Sequence, residues 1–198
     1  DPVLTDPSMQ NCMIEGLKDI VVRTKDISDV LGYDVYNEPL GNVKHINTFV
    51  KRLRAAVRGI TKDKIVVVKP RHDSPDFYDK MPPYNEPKTW YGVHMYYPGG
   101  FTHHGVFVPS AKQGKYPQGT TEAALERMRT HLSKVVAFQK KYNATIWVSE
   151  FGSSIFGDPV SREIWFRNCI RLFEEYKWHW TFHAYRESSY WDIETYPN

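Results

Sequence analysis

Glu38 lies in VYNEPLG, residues 35–41, between an amide and a proline at the end of an apolar, β-favouring run. Proline pushes the residue before it out of the helical region, so Glu38 is held extended at a strand exit, as it would also be in an ordinary strand-to-loop turn. A second carboxylate has a stronger pattern. In IWVSEFG, residues 146–152, strand alternation puts Ile146, Val148 and Glu150 on one face. A charge that ends a row of core residues is costly unless it is partnered. His94 and Tyr96, in HMY, share one face of a preceding strand. Tyr96 is placed to donate to Glu150 and keep it ionised, and His94 to orient either carboxylate; the plain alternative is a core His and Tyr with satisfied polar tips. Two carboxylates at the ends of parallel strands are what glycosidic bond cleavage requires, one protonating the leaving oxygen and one facing the sugar as base or nucleophile.

The elements that must position these groups alternate. Strand candidates are Tyr33 to Asn37, Ile65 to Lys69, Tyr91 to Tyr96, Thr145 to Ser149 and His179 to Ala184, each rich in β-branched or aromatic residues. Helical periodicity covers most of Ser8 to Leu31, then Val43 to Ile60, Thr121 to Tyr142 and Pro159 to Lys177. Asp158 can cap the last of these, with Pro159 in its first turn. Alternating strands and helices predict a parallel α/β architecture. Every polar group of interest sits at the C-terminal end of a strand, as in a (β/α)8 TIM barrel, and neither G-x-G-x-x-G nor G-x-x-x-x-G-K-[ST] occurs. The barrel is therefore preferred over an open doubly wound sheet. Two long loops, Arg71 to Lys88 and Pro98 to Gly119, are candidates for lids or binding walls.

With 198 residues, 41% hydrophobic and 15% aromatic, the chain can bury one core, and residues 1–198 read as a single domain. A formal net charge of +3 calls for neither nucleic acid nor an acidic membrane surface. Basic residues do bunch from Lys44 to Lys64, seven Lys and Arg against one Asp, and read as a solvated helix face opposite Ile46, Phe49, Val50, Leu53, Val57 and Ile60. Cys12 and Cys169 read as buried free thiols. No apolar run reaches the ~20 residues of a membrane span, and no signal peptide is visible. No H-x-H, H-E-x-x-H or cysteine cluster supports a metal, no cofactor is implied, and no G-x-S-x-G elbow is present. Trp180, near the end of the last strand, and Trp90, Tyr97, Tyr185 and Trp191 offer rings for stacking on sugars, although plain packing is an equal alternative for each.

The segments YDVYNEP, WYGVHMYYPGGFTHHG, IWVSEFGSS and WHWTFHAYRESSYWDIE, in that order, resemble glycoside hydrolase family 5, the cellulase family, from residue 33 to about 194. The resemblance implies a retaining endo-glycanase on a (β/α)8 barrel, acting on a β-linked polysaccharide or oligosaccharide and secreted from the cell. It implies that Glu38 is the acid/base, Glu150 the nucleophile and Asn37 the amide on the sugar 2-hydroxyl. His94 and Tyr96 match the sixth-strand pair and Trp180 the eighth-strand platform. The carboxyl separation expected for retention is ~5 to 5.5 Å, against ~6.5 to 9.5 Å for inversion.

The departure is that Tyr33 to Asn37 then corresponds to the fourth strand, and the first three are missing. Five strands do not close a barrel. The expectation is a partial barrel with unpaired outer strands and apolar faces in water, completed by an N-terminal segment, a second chain or self-association. Two other functions fit the same residues: a truncated, inactive carbohydrate-binding half-barrel, and a purely structural half-barrel.

Overall fold

The computed structural model describes residues 2–106, 115–187 and 190–194. Its strands are β1 (Gly32–Asp34), β2 (Ile65–Val68), β3 (Thr89–Met95), β4 (Thr145–Phe151) and β5 (His179–Trp180). Its α-helices are α1 (Pro7–Thr24), α2 (Val43–Ile60), α3 (Gly99–Thr102), α4 (Thr121–Tyr142) and α5 (Pro159–Glu175). The strands follow chain order in one five-stranded sheet, so β1 and β5 are its outer strands. The β1–β2, β2–β3 and β4–β5 pairings are parallel. The expected α/β class and partial-barrel strand count are both present.

The chain divides into two compact units, Asp1–Val93 with Ala137–Ile146, and His94–Val136 with Trp147–Asn198. In the first, α2 turns Ile46, Phe49, Val50, Leu53 and Val57 inward and β2 buries Val66, Val67 and Val68. The strong two-sidedness of α2 is what made its bounds legible. Tyr78, Phe138 and Tyr91 form an aromatic cluster with centroid separations of 5.5 and 4.8 Å, and the Tyr78 hydroxyl donates to the Gly92 carbonyl at 2.8 Å. Ile20, Val22, Ile27 and Leu31 remain exposed.

In the second unit Trp165, Cys169, Leu172 and Phe173 of α5 are fully buried, as are Leu125, Met128, Leu132 and Val135 of α4. The Trp165 indole donates to the Tyr97 carbonyl at 2.8 Å. Tyr116 accepts from Asn168 and contacts the Met128 sulfur at 3.3 Å. Asp158 caps α5 by accepting from the Ser161 N–H at 2.9 Å, and Pro159 occupies its first turn.

Several expectations need correction. Helix α1 stops at Thr24 rather than near Leu31, its Lys25 N–H closing on the Val21 carbonyl and the chain turning through Ile27. Strands β1 and β5 are shorter than expected, ending at Asp34 and Trp180, although the Val35 N–H still donates to the Val67 carbonyl at 3.4 Å and the Thr181 and His183 N–H groups to the Val148 and Phe151 carbonyls at 3.0 Å. Cys12 is exposed, since α1 directs Ile14 and Val21 inward; only Cys169 is buried, and burial pushes its thiol pKa well up. The basic face of α2 is not uniformly solvated. Arg58 pairs with Glu86 at 3.0 Å and donates to the Lys64 and Lys88 carbonyls, while Arg54 pairs with Glu86 and lies over the Tyr84 ring. The loop from Arg71 to Lys88 contains two 3-10 turns, Arg71–Asp73 and Pro75–Lys80. In the loop from Pro98 to Gly119, residues 107–114 lie outside the described residues.

Candidate functional site

In the first unit the NEP turn is held by a charged group that the motif does not contain. Lys69, the residue after β2, is 2% exposed. Its ammonium contacts Asp34 Oδ2 at 2.6 Å, Asp73 Oδ2 at 3.2 Å and Asn37 Oδ1 at 2.8 Å. Burial alone would lower the Lys69 pKa; Asp73 and Asp34 together outweigh it, and the net shift is upward. Asp73 Oδ2 also accepts the Glu38 N–H at 3.0 Å, and the His72 N–H donates to the Pro39 carbonyl at 2.9 Å. Glu38, His72 and Asp73 all have positive φ, at 44°, 54° and 48°. Glu38 is therefore not in the extended conformation expected before proline: fixed contacts to the Arg71–Asp73 turn override the local preference. Asn37 and Glu38 are both exposed.

In the second unit Glu150 ends the inward row begun by Ile146 and Val148, which are 1% and 0% exposed. Both of its oxygens are addressed. The Tyr96 hydroxyl donates to Oε2 at 2.8 Å, and His94 Nε2 lies 3.5 Å from Oε1. Alternation along β3 places His94 and Tyr96 on the same side, and His94 is buried. A carboxylate steadied this way is oriented without being covered, since its side chain keeps 22% exposure. Such a group can act as a base or a nucleophile.

Two rings join this cluster. Trp191 lies 5.6 Å from Tyr96 and 5.1 Å from His103, centroid to centroid, and His103 lies 5.1 Å from Tyr96. Thr102 donates its hydroxyl proton to the Tyr96 carbonyl at 2.6 Å, so its 3.0 Å contact with His103 Nδ1 requires that nitrogen to carry the hydrogen.

Trp180 is the expected site residue that the structure does not bring to Glu150. Its indole N–H donates to Glu174 of α5 at 2.8 Å, and its ring meets Phe151 edge-on at 5.6 Å. With Phe151, Phe166, Ile170, Phe182 and Ile193 it lines an open apolar groove of about 630 Å³. Period-two alternation explains the placement. Trp180 and Phe182 face α5, whereas His183, on the opposite face, lies 6.0 Å from Trp191. The aromatic signal near the last strand was real, but the ring beside Tyr96 comes from Trp191, in the loop that follows.

The model of the cellulase family, glycosyl hydrolase family 5, matches residues 8–189. The chain belongs to glycosyl hydrolase family 5. The family assignment covers both glutamate motifs and the His94–Tyr96 pair. No characterised protein sequence matches significantly. Among solved structures, Thermotoga maritima Cel5A in complex with cellobiose is similar at 21% identity with a TM-score of 0.83, over 94% of this chain and 63% of that one. A hyperthermophilic endo-beta-1,4-glucanase in complex with substrate has 21% identity and a TM-score of 0.84, over 98% of this chain and 67% of that one. Thermotoga maritima Cel5A with mannotriose gives 20% and 0.83 over 94% and 63%. At these identities the likeness establishes a shared fold. The family 5 chain spans roughly two thirds of the length of the structures it matches.

Sequence reasoning missed Lys69 and Asp73 as partners of the NEP turn, and His103 as a neighbour of Tyr96. A lysine closing the apolar run IVVVK and followed by Pro was the available signal for the first, because a buried lysine must find carboxylates. Nothing in the spacing marked His103 over His104.

Proposed function

We propose that this family 5 chain is a retaining endo-β-glycanase acting outside the cell on β-linked glucan-type polysaccharide, with Glu150 as nucleophile and Glu38 as acid/base. Glu150 attacks the anomeric carbon as the glycosidic C–O bond breaks, and the Glu38 proton passes to the leaving oxygen. Water then attacks the glycosyl ester, Glu38 takes its proton, and Glu150 departs as the carboxylate. The observation that carries this reading is the Glu150 carboxylate at a strand end, held by the Tyr96 hydroxyl on one oxygen with His94 3.5 Å from the other. An amide next to the acid, Asn37, suits the sugar 2-hydroxyl, and Tyr96, His103 and Trp191 give an aromatic wall to which a pyranose face can stack. The similar Thermotoga maritima Cel5A structures are complexes with cellobiose and with mannotriose, which favours β-linked oligosaccharide substrates.

Hydrolysis of a soluble β-glucan by the purified chain, lost in Glu150→Gln and with the β-anomer appearing first by NMR, is the expected result. Inversion of configuration would refute double displacement. Well-folded chain with no turnover, alone or mixed with an added N-terminal barrel segment, would refute the enzyme reading and leave a sugar-binding half-barrel. That second reading is favoured only by the exposed apolar residues Ile20, Val22, Ile27 and Leu31.

A further inference from the structure

We propose that Lys69 is the positioning residue of the NEP turn, holding the Asn37 amide directly and the Glu38 backbone through Asp73. The inference rests on the acid/base role given to Glu38 above. Lysine only donates, so the Asn37 atom it meets at 2.8 Å must be the carbonyl oxygen. The orientation of the amide is thereby decided, and its NH2 is left as the donor that Asn37 offers to a hydroxyl. The three ammonium protons match three acceptors, on Asp34, Asn37 and Asp73.

The Asp73 oxygen that Lys69 contacts is the one that takes the Glu38 N–H. Lys69 thus anchors a chain of contacts from β2 to the backbone of the candidate acid. Asp73 is fully buried, so its carboxylate has no water shell to substitute for the ammonium.

The sequence makes room for this arrangement. A Cβ on Gly92 would stand 2.7 Å from Lys69 Cγ and 2.8 Å from its Cε, so glycine on β3 is what lets the lysine stem pass. The second tie, from the His72 N–H to the Pro39 carbonyl, locks the same two loops together. Glu38 keeps a φ of 44°, which an isolated glutamate rarely adopts, so relaxation of the turn is the expected consequence of losing these contacts.

Acid assistance matters most when the leaving group is poor, and this gives a readout that general destabilisation does not imitate. The full chain and its Lys69→Met variant are assayed on phenyl and dinitrophenyl β-cellobiosides. The expected result is a loss in kcat/KM of about 30-fold on the phenyl substrate and under about threefold on the dinitrophenyl one. Equal losses on both substrates would overturn the proposal. Glu38 amide hydrogen exchange, read by NMR, is expected to accelerate at least tenfold in the variant; unchanged exchange would also overturn it.

If Lys69→Met fails to fold, Asp73→Asn replaces it. That variant retains an acceptor for the Glu38 N–H and weakens the pull of Lys69, so a smaller loss of the same leaving-group selectivity is expected, and its absence overturns the proposal. A wild-type chain inert on both substrates refutes the glycosidase reading instead, and the exchange rate of the Glu38 amide then decides the positioning role by itself.

Discussion

Removing one oxygen atom from Tyr96 tests how much of the candidate chemistry depends on the hold on Glu150. The hydroxyl donates to Glu150 Oε2 at 2.8 Å, a charge-assisted bond worth about 1.5–3 kcal/mol. Tyr96→Phe keeps the ring, and with it the contacts to His103 at 5.1 Å and Trp191 at 5.6 Å, so packing is preserved. The His94 contact to Oε1 at 3.5 Å is too long to replace the lost bond, and the carboxylate gains freedom to rotate away from attack. The expected loss in kcat/KM is roughly 10- to 150-fold, since about 1.36 kcal/mol is a factor of ten. The assay is initial-rate hydrolysis of a dinitrophenyl β-cellobioside, which isolates nucleophilic attack from acid assistance, with near-UV circular dichroism to confirm the fold. A loss under about threefold in a folded variant would refute the reasoning, because the hydroxyl would then not be positioning the nucleophile.

Trp165→Ala removes a fully buried indole and leaves the Tyr97 carbonyl without its donor, and should cost about 3–5 kcal/mol; a change under about 1 kcal/mol in urea unfolding would contradict the packing described. Trp180→Phe should leave oligosaccharide affinity within about twofold, whereas Trp191→Ala should weaken it by about tenfold, as measured by isothermal titration. The reverse order would restore Trp180 to the sugar-facing wall. Contacts from Ser161, side chain first and then backbone, hold the Asp158 carboxyl below its usual pKa. Its contribution to stability is therefore fully present above the unfolded pKa of about 3.9 and is lost as pH falls through the lower folded value. Wild-type stability should consequently fall more steeply below about pH 4 than that of Asp158→Asn, read from urea midpoints across pH.

Local patterns carried some features directly. Helices α2 and α4 have the bounds their periodicity gives, because their apolar faces are continuous and their ends carry caps such as Asn42 and Thr120. The inward row from Ile146 to Glu150 follows from strand alternation alone. The ends of the short strands β1 and β5 did not follow: regular pairing stops at Asp34 and Trp180 while single hydrogen bonds from Val35, Thr181 and His183 continue to the neighbouring strands, and no residue within the segment records that. The same limit applies to Trp180. Its identity is in the sequence, yet the face it occupies depends on which neighbours in α5 lie across from β5.

The sequence by itself carried the class of this protein: strands alternating with helices, no phosphate loop, and four motifs whose order resembles family 5. Only the tertiary structure decided which side chains hold Glu38 and Glu150. Asp73, which accepts the Glu38 N–H, lies 35 positions after it and Tyr96 lies 54 before Glu150, and hydrogen bonds over such separations exist only once the chain has folded to bring these segments together. A buried charge states in advance that it needs a partner; folding chooses which one.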